Sequence, residues 1–404
     1  MKRKLPSSSS KNVVARRRVA DVSGIEVQHL LKTLSIIQQQ LKLRLGTLPL
    51  LDLSPPRVGG EPRKHIAQHT SLIGHLKRFQ LTTAPSMGDG IGGAAATTAT
   101  TTTKANTATP TTTTSHQTIF VEFGAGVGRF SDQLQEETKA KHYHLMIDRE
   151  TFKATRLRDT AMKKRTSLDS VRRVTADIKD VNLIEVLRTN YSNVEQQQQQ
   201  RTKIVAVSKH LCGEGFDMAL SCLFEYHAVA KSLPTICMTP CCHCLCTWEQ
   251  FTCRSFFETF GIGEQEFEAM CAVSQWASLR FQEDNVLEKN EWWKSGNDTT
   301  GGARVLTPKI LQQLHNVSAV SSVSSTSTTC MAELVLERQP VLVAMSGIEL
   351  EKQLTRREKR KLGRACKECI DIARACGILM HGYSECHLFR YTQHSTENLL
   401  LVGF

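Results

Sequence analysis

The sequence predicts an α/β protein built on a mostly parallel sheet of seven strands, with helices on both faces and an antiparallel strand at one edge. Three observations predict it. Short β-branched apolar runs alternate with helical patterns, as strands joined by helical crossovers do. The first run passes through three closely spaced glycines straight into a helical segment. The last two runs have no helix between them, so one of them can run antiparallel at the edge.

Taken in order, residues 1–22 are polar and basic and read as a disordered tail. Residues 23–60 read as a helix and a linker. Leu30, Leu31, Leu34, Ile37, Leu41 and Leu45 fall at helical spacing, and Pro49, Pro55, Pro56, Gly59 and Gly60 follow. Residues 61–404 form the main domain. It opens with a helix from about His65 to Phe79. Low-complexity insertions near 82–116, 195–201 and 299–329 cannot build a core and are expected as surface loops.

Between the insertions lie the seven expected strands: Thr118–Phe123, Tyr143–Ile147, Val171–Ala176, Lys203–Ser208, Pro234–Met238, Cys386–Tyr391 and Asn398–Val402. Helices are expected over Ser131–Glu137, Thr151–Met162, Gly215–Tyr226 and Leu354–Cys376.

Composition narrows the function classes. Among 404 residues, 51 Lys and Arg against 39 Asp and Glu leave a formal charge of +12. Such a balance favours polyanionic partners, because neutralising phosphates releases condensed counterions. No signal-peptide pattern opens the chain and no run of 18 apolar residues appears, so an intracellular protein of nucleus or cytoplasm is expected, with no membrane partner. The 14 cysteines then read as core residues, metal ligands or thiols rather than disulfides.

The strongest chemical signal is Val121 to Phe130. Strand residues Val121, Glu122 and Phe123 lead into Gly124, Ala125, Gly126, Val127 and Gly128, and a helix follows. Glycines let the backbone turn sharply and approach a nucleotide. The third glycine comes two positions after the second, as in methyltransferases, not three as in dinucleotide binders. Asp148 ends the next strand, 24 residues after Gly124 (148 minus 124), where an acid can hold a ribose diol or cap the following helix. Asp177 ends the third strand and faces either an adenine amine or its own backbone.

The fourth strand ends in Ser208-Lys209-His210-Leu211-Cys212-Gly213 and the fifth in Thr239-Pro240-Cys241-Cys242-His243-Cys244-Leu245-Cys246. Ligands bind outside the carboxyl ends of such strands. Lys209, His210 and His243 are therefore the unranked candidates for moving a proton. Zinc is not expected at the crowded cysteines, which lack a second Cys/His pair of ordinary spacing; a shaped pocket wall is the better reading. The basic openings of the last helix (Lys352 to Arg364) and of Arg156 to Arg173 are either solvated faces or phosphate tracks.

The segments VEFGAGVGRFSDQL, SKHLCGEGFDMAL, TPCCHCLC, SQWA (Ser274–Ala277), REKRKLGRACKECIDIARACG and QHTSLIGHL (Gln68–Leu76) together resemble the eukaryotic tRNA 2′-O-methyltransferase family that modifies the ribose of nucleotide 4 of the acceptor stem. The resemblance runs over residues 61–404, outside the insertions. It implies a Rossmann-like class I methyltransferase fold, S-adenosylmethionine as cofactor and methyl donor, and tRNA as partner, with no obligate protein partner. Glu122, Gly124, Ala125, Gly126, Gly128, Asp148 and Asp177 would then form the cofactor site. The small Cys/His zinc modules usual in that family are not among these residues, since no cysteine precedes Cys212. A methyltransferase acting on another RNA or on protein, or an inactive RNA-binding scaffold, are the competing expectations.

Overall fold

The computed structural model describes residues 18–24, 28–31, 34, 51–53, 64–82, 118–139, 142–166, 170–197, 202–278, 304–312, 346–392, 395 and 397–404. Residues 1–17 of the basic tail, most of the expected linker, nearly all of the 82–116 insertion and all of the 299–329 insertion but 304–312 lie outside them. Of the helix expected from residue 24, positions 24, 28–31 and 34 are helical, and Leu30, Leu31 and Leu34 are buried as their spacing requires.

Eight strands form one sheet: β1 (Thr118–Phe123), β2 (Tyr143–Asp148), β3 (Val171–Thr175), β4 (Lys203–Cys212), β5 (Thr235–Cys241), β6 (Arg304–Leu306), β7 (Cys386–Arg390) and β8 (Leu399–Gly403). Their order is β3-β2-β1-β4-β5-β8-β7-β6. The first five run parallel. β8 runs antiparallel between β5 and β7, and β6 pairs antiparallel with β7.

Two expectations are corrected here. Among the described residues the sheet has eight strands, not seven, and the antiparallel closing strand β8 lies inside it rather than at the edge. The edge belongs to β6, which arises within the segment expected as a polar insertion. Three residues are too short to show alternation, and Leu306 is the fully buried one.

The described helices are α1 (Lys64–Arg78), α2 (Arg129–Glu137), α3 (Lys153–Lys164), α4 (Leu183–Gln197), α5 (Glu214–Ala230), α6 (Arg254–Glu258), α7 (Glu264–Ser274), α8 (Gly347–Gln353) and α9 (Arg356–Met380). α9 starts with a capping box. Thr355 Oγ1 accepts from the Glu358 amide and Glu358 Oε2 accepts from the Thr355 amide.

Side chains alternate across the sheet with period two. On one face Ile119, Val121, Phe123, Ile204, Ala206, Ile236 and Leu401 join the core built with α4, α5, α7 and α9. On the other, Phe120, Val205, Val207, Cys237 and Val402 pack with Leu72, Ile73 and Leu76 of α1 and Phe130 and Leu134 of α2. A strand buried on both faces has no polar side to spare, which is why β1 reads as a continuous apolar run. β1 pairs with both β2 and β4, so the chain order reverses beside it and a crevice opens at its carboxyl end.

Candidate active site

The glycine loop occupies that crevice. Gly124, Gly126 and Gly128 all have positive φ, at 66°, 52° and 76°. A side chain is strained there, so only glycine follows this path without cost. Their surroundings differ. A Cβ on Gly124 would come within 3.0 Å of Leu211 Cδ1 and 3.2 Å of the His210 carbonyl. One on Gly128 would meet Arg173 and Met146, both at 2.9 Å. One on Gly126 would meet nothing within 4 Å. The outer glycines therefore let the loop seat against protein, and the middle one faces open space.

The Gly126 peptide is fixed on both sides. Its N–H donates to Asp148 Oδ2 at 2.7 Å, and its carbonyl accepts from Arg173 Nη1 at 3.0 Å. Arg173 is itself held by Asp159 at 2.7 and 2.9 Å. The Ala125 amide donates to the Ile147 carbonyl, which ties the loop to the end of β2. Arg173 had stood among the candidate phosphate contacts. Its guanidinium is instead largely buried and braces the loop. Arg158 and Arg165 of the same candidate track pair with Asp132, and Arg165 also with Glu136.

The other expected cofactor residues separate by position. Asp148 is partly exposed, and its Oδ1 accepts from the Glu150 amide. Glu122 is bonded to the start of the following helix. It is 3% exposed, and its Oε2 accepts both the amide and the hydroxyl of Ser131 in the first turn of α2. Burial pushes its carboxyl up to about 7, against the opposing pull of those two bonds. Asp177 caps the 3-10 turn Ile178–Asp180 by accepting from the Lys179 amide. The Ala176 amide donates to the Asp148 carbonyl, so the two acids end adjoining strands.

The proton-moving candidates also part company. Lys209 Nζ donates to His65 Nδ1 at 2.8 Å, and the Thr239 hydroxyl holds the Lys209 carbonyl at 2.7 Å. His69, one turn on in α1, is buried nearby. Burial and then the Lys209 charge push its imidazole down to about 4, which keeps it neutral near pH 7. His210 is exposed, with Nδ1 3.5 Å from Cys241 Sγ. His243 faces the interior. It is 2% exposed, and its Nε2 lies 2.8 Å from Asp371 Oδ1 on α9. Asp371 and Asp217 also bind the fully buried Arg374. The structure thus brings Lys209 together with α1, and puts His243 in a buried ion network.

Sequence reasoning missed His65, the bracing of the loop by Arg173 and the union of Cys212 with Cys241. His65 lies just ahead of the QHTSLIGHL segment, and its helical spacing to His69 was the available signal.

The family model for methyltransferase TRM13 matches residues 67–403. The chain belongs to the TRM13 methyltransferase family. Among curated TRM13 relatives, the "tRNA:m(4)X modification enzyme TRM13 homolog" of Homo sapiens is 23% identical over 401 residues, covering 86% of this chain and 66% of that protein. The Dictyostelium discoideum homolog is 28% identical over 167 residues, covering 40% and 30%. The Schizosaccharomyces pombe "tRNA:m(4)X modification enzyme TRM13" is 25% identical over 231 residues, covering 55% and 50%. The chain thus spans between 30% and 66% of the length of these TRM13 proteins. No solved structure matches it. Among the described residues no helix is long and apolar enough to cross a membrane.

Proposed function

We propose that this chain transfers a methyl group from S-adenosylmethionine to a ribose 2′-hydroxyl in tRNA, at position 4 of the acceptor stem, on a Rossmann-like class I methyltransferase sheet. The observation that carries this is the Gly126 peptide. It is held rigid by Asp148 and Arg173 while its Cα faces open space at the reversal of strand order. A cradle that a Cβ would fill is what close approach of a nucleotide requires. Family membership and the +12 charge support the methyl-transfer and tRNA parts of the reading.

In this reading Gly124, Ala125, Gly126 and Gly128 pass the backbone beside the cofactor. Asp148 accepts from its ribose hydroxyls through the lone pairs that Gly126 and Glu150 leave over, and Asp177 approaches the adenine. Glu122 acts through α2 and the loop rather than by touch. The cofactor supplies a methyl group on a positively charged sulfur, so the protein has mainly to align the attacking oxygen and remove its proton. Lys209 is suited to both tasks. It stands at the carboxyl end of β4, next to the His210 carbonyl on which Gly124 seats. The resting ammonium passes a proton to Nδ1 of His65, and the amine so formed takes the hydroxyl proton at Nζ.

Transfer of labelled methyl groups into purified tRNA, followed by nuclease mapping, tests the reading. Label at a single ribose in the acceptor stem is expected. Label found only in protein or in other RNA would overturn it.

A further inference from the structure

The carboxyl ends of β4 and β5 carry a second constellation. Cys212 Sγ and Cys241 Sγ lie 3.3 Å apart, and Cys241 Sγ lies 3.5 Å from His210 Nδ1. The three donor atoms all fall within 4.8 Å of one another. Cys242 follows Cys241 directly, and its thiol interacts with those of Cys212 and Cys241. We propose that Cys212, Cys241, Cys242 and His210 bind one zinc ion, closing a Cys3His site that staples the end of β4 to the end of β5.

Four donors of these types are a structural zinc set. With Zn–S near 2.3 Å and Zn–N near 2.0 Å, the edges of a tetrahedron come to roughly 3.5–3.8 Å. The Cys212–Cys241 and Cys241–His210 separations, 3.3 and 3.5 Å, stand close to those edges before any ion is added. Soft thiolates with one imidazole favour zinc over the hard divalent cations.

Two features of the backbone build the cluster. β4 carries one extra residue between Ser208 and Leu211, and this bulge sets Cys212 opposite Cys241. Without it the register would set Cys212 opposite Cys242. Bulges re-aim side chains in this way beside functional sites. Cys242 then adopts φ 51°, in the left-handed region that non-glycine residues seldom enter. A strained conformation persists where its surroundings or a ligand hold it, and here it keeps the Cys242 thiol beside the other two. Neither device is visible from spacing along the chain, because Cys212 and His210 come from a different strand than Cys241 and Cys242.

The consequence is mechanical. Leu211 and the His210 carbonyl, between and beside two of the ligands, are the groups on which Gly124 seats. A metal at this point fixes the wall of the nucleotide crevice and the neighbouring Lys209. On binding, each thiol gives up its proton to solvent as its sulfur lone pair coordinates the ion. This proposal does not rest on the methyl-transfer reading, and its test does not measure methyl transfer.

The test is elemental analysis of the full chain after purification under reducing conditions and dialysis against a weak chelator. About one zinc per chain is expected. The Cys212→Ser/Cys242→Ser double variant should hold at least fivefold less. A second measurement covers the case in which the variant fails to fold. In the wild-type chain, Cys212 and Cys242 should resist alkylation with zinc present and become labelled once a strong chelator removes it. Cobalt in place of zinc should give the intense ultraviolet absorption of thiolate coordination. A wild-type chain that holds no zinc and takes up no cobalt overturns the proposal. So does zinc content that is unchanged in a folded double variant, or a Cys212–Cys241 disulfide found without metal.

Discussion

Asp148 Oδ2 accepts the Gly126 amide proton at 2.7 Å, so the acid that ends β2 shapes the loop that ends β1. The same carboxylate is the proposed ribose ligand. Removing it should act twice, by loosening the loop and by deleting an acceptor for the cofactor. A hydrogen bond to a charged group contributes about 1.5–3 kcal/mol, which corresponds to roughly 10- to 150-fold in affinity. Asp148→Ala should therefore weaken S-adenosylmethionine binding by at least tenfold in calorimetry. Unchanged affinity would remove Asp148 from the site.

The two glycines at either end of that argument can be separated experimentally. Both have positive φ, so an alanine at either costs about 1 kcal/mol in backbone strain. At Gly124 the added Cβ also presses on Leu211 and the His210 carbonyl; at Gly126 it meets nothing. Gly124→Ala should thus lower the melting temperature by more than Gly126→Ala. Gly126→Ala should be the variant that keeps most of its stability and loses cofactor binding. If it binds normally, the open space beside Gly126 is not the cofactor's.

The sequence showed the parallel half of the sheet well, because strands buried on both faces are continuous apolar runs; β1, β2 and β3 end within one residue of expectation, while β4 and β5 run on to Cys212 and Cys241. It showed the glycine loop and Asp148 for the same local reason. What it could not show depends on contacts across the fold. His243 reads as a strand-end histidine, yet its ring turns inward to Asp371, 128 residues away in sequence. Glu122 reads as part of the loop motif, yet strand alternation turns it toward Ser131. β6 was too short to register, and α4 was not foreseen although Leu183, Leu187 and Tyr191 form its buried stripe. The bulge in β4 decides which cysteines meet, and no spacing rule encodes a bulge.

The interior network around α9 gives a stability prediction. Arg374 Nη2 lies 2.6 Å from Asp217 Oδ2 and Nη1 lies 3.0 Å from Asp371 Oδ1, all fully buried or nearly so. Breaking a buried pair by removing one partner strands the other charge, at about 3–5 kcal/mol. Asp217→Leu should cost that much in urea unfolding. Adding Arg374→Leu should cost less than the sum of the two single changes, because no guanidinium is then left unpaired against Asp217. Additive losses would show that the two side chains do not act as a pair.

His144 on β2 supplies the pH prediction. Its ring is fully buried against Phe120, and neither ring nitrogen has a hydrogen-bond partner among the described residues. Burial first, then the charges of His142 and Arg165, push its pKa from 6.5 down to about 3. The folded state thus refuses a proton that the unfolded chain accepts. The stability this group allows is fully present above pH 6.5 and is lost as the pH falls toward 3, on the order of 5 kcal/mol over the whole window. Glu122 works in the opposite sense. Its raised pKa favours the folded state most below about 4.5, and that advantage is lost as the pH rises through about 7. The wild-type profile mixes both, so the comparison must be between variants. His144→Leu removes two unsatisfied nitrogens at similar volume. It should unfold at equal or higher temperature at pH 7.5, and its advantage over wild type should grow steadily as the pH is lowered from 6.5 to 4.5. Parallel melting curves across that range would mean that His144 is not the buried neutral imidazole described here.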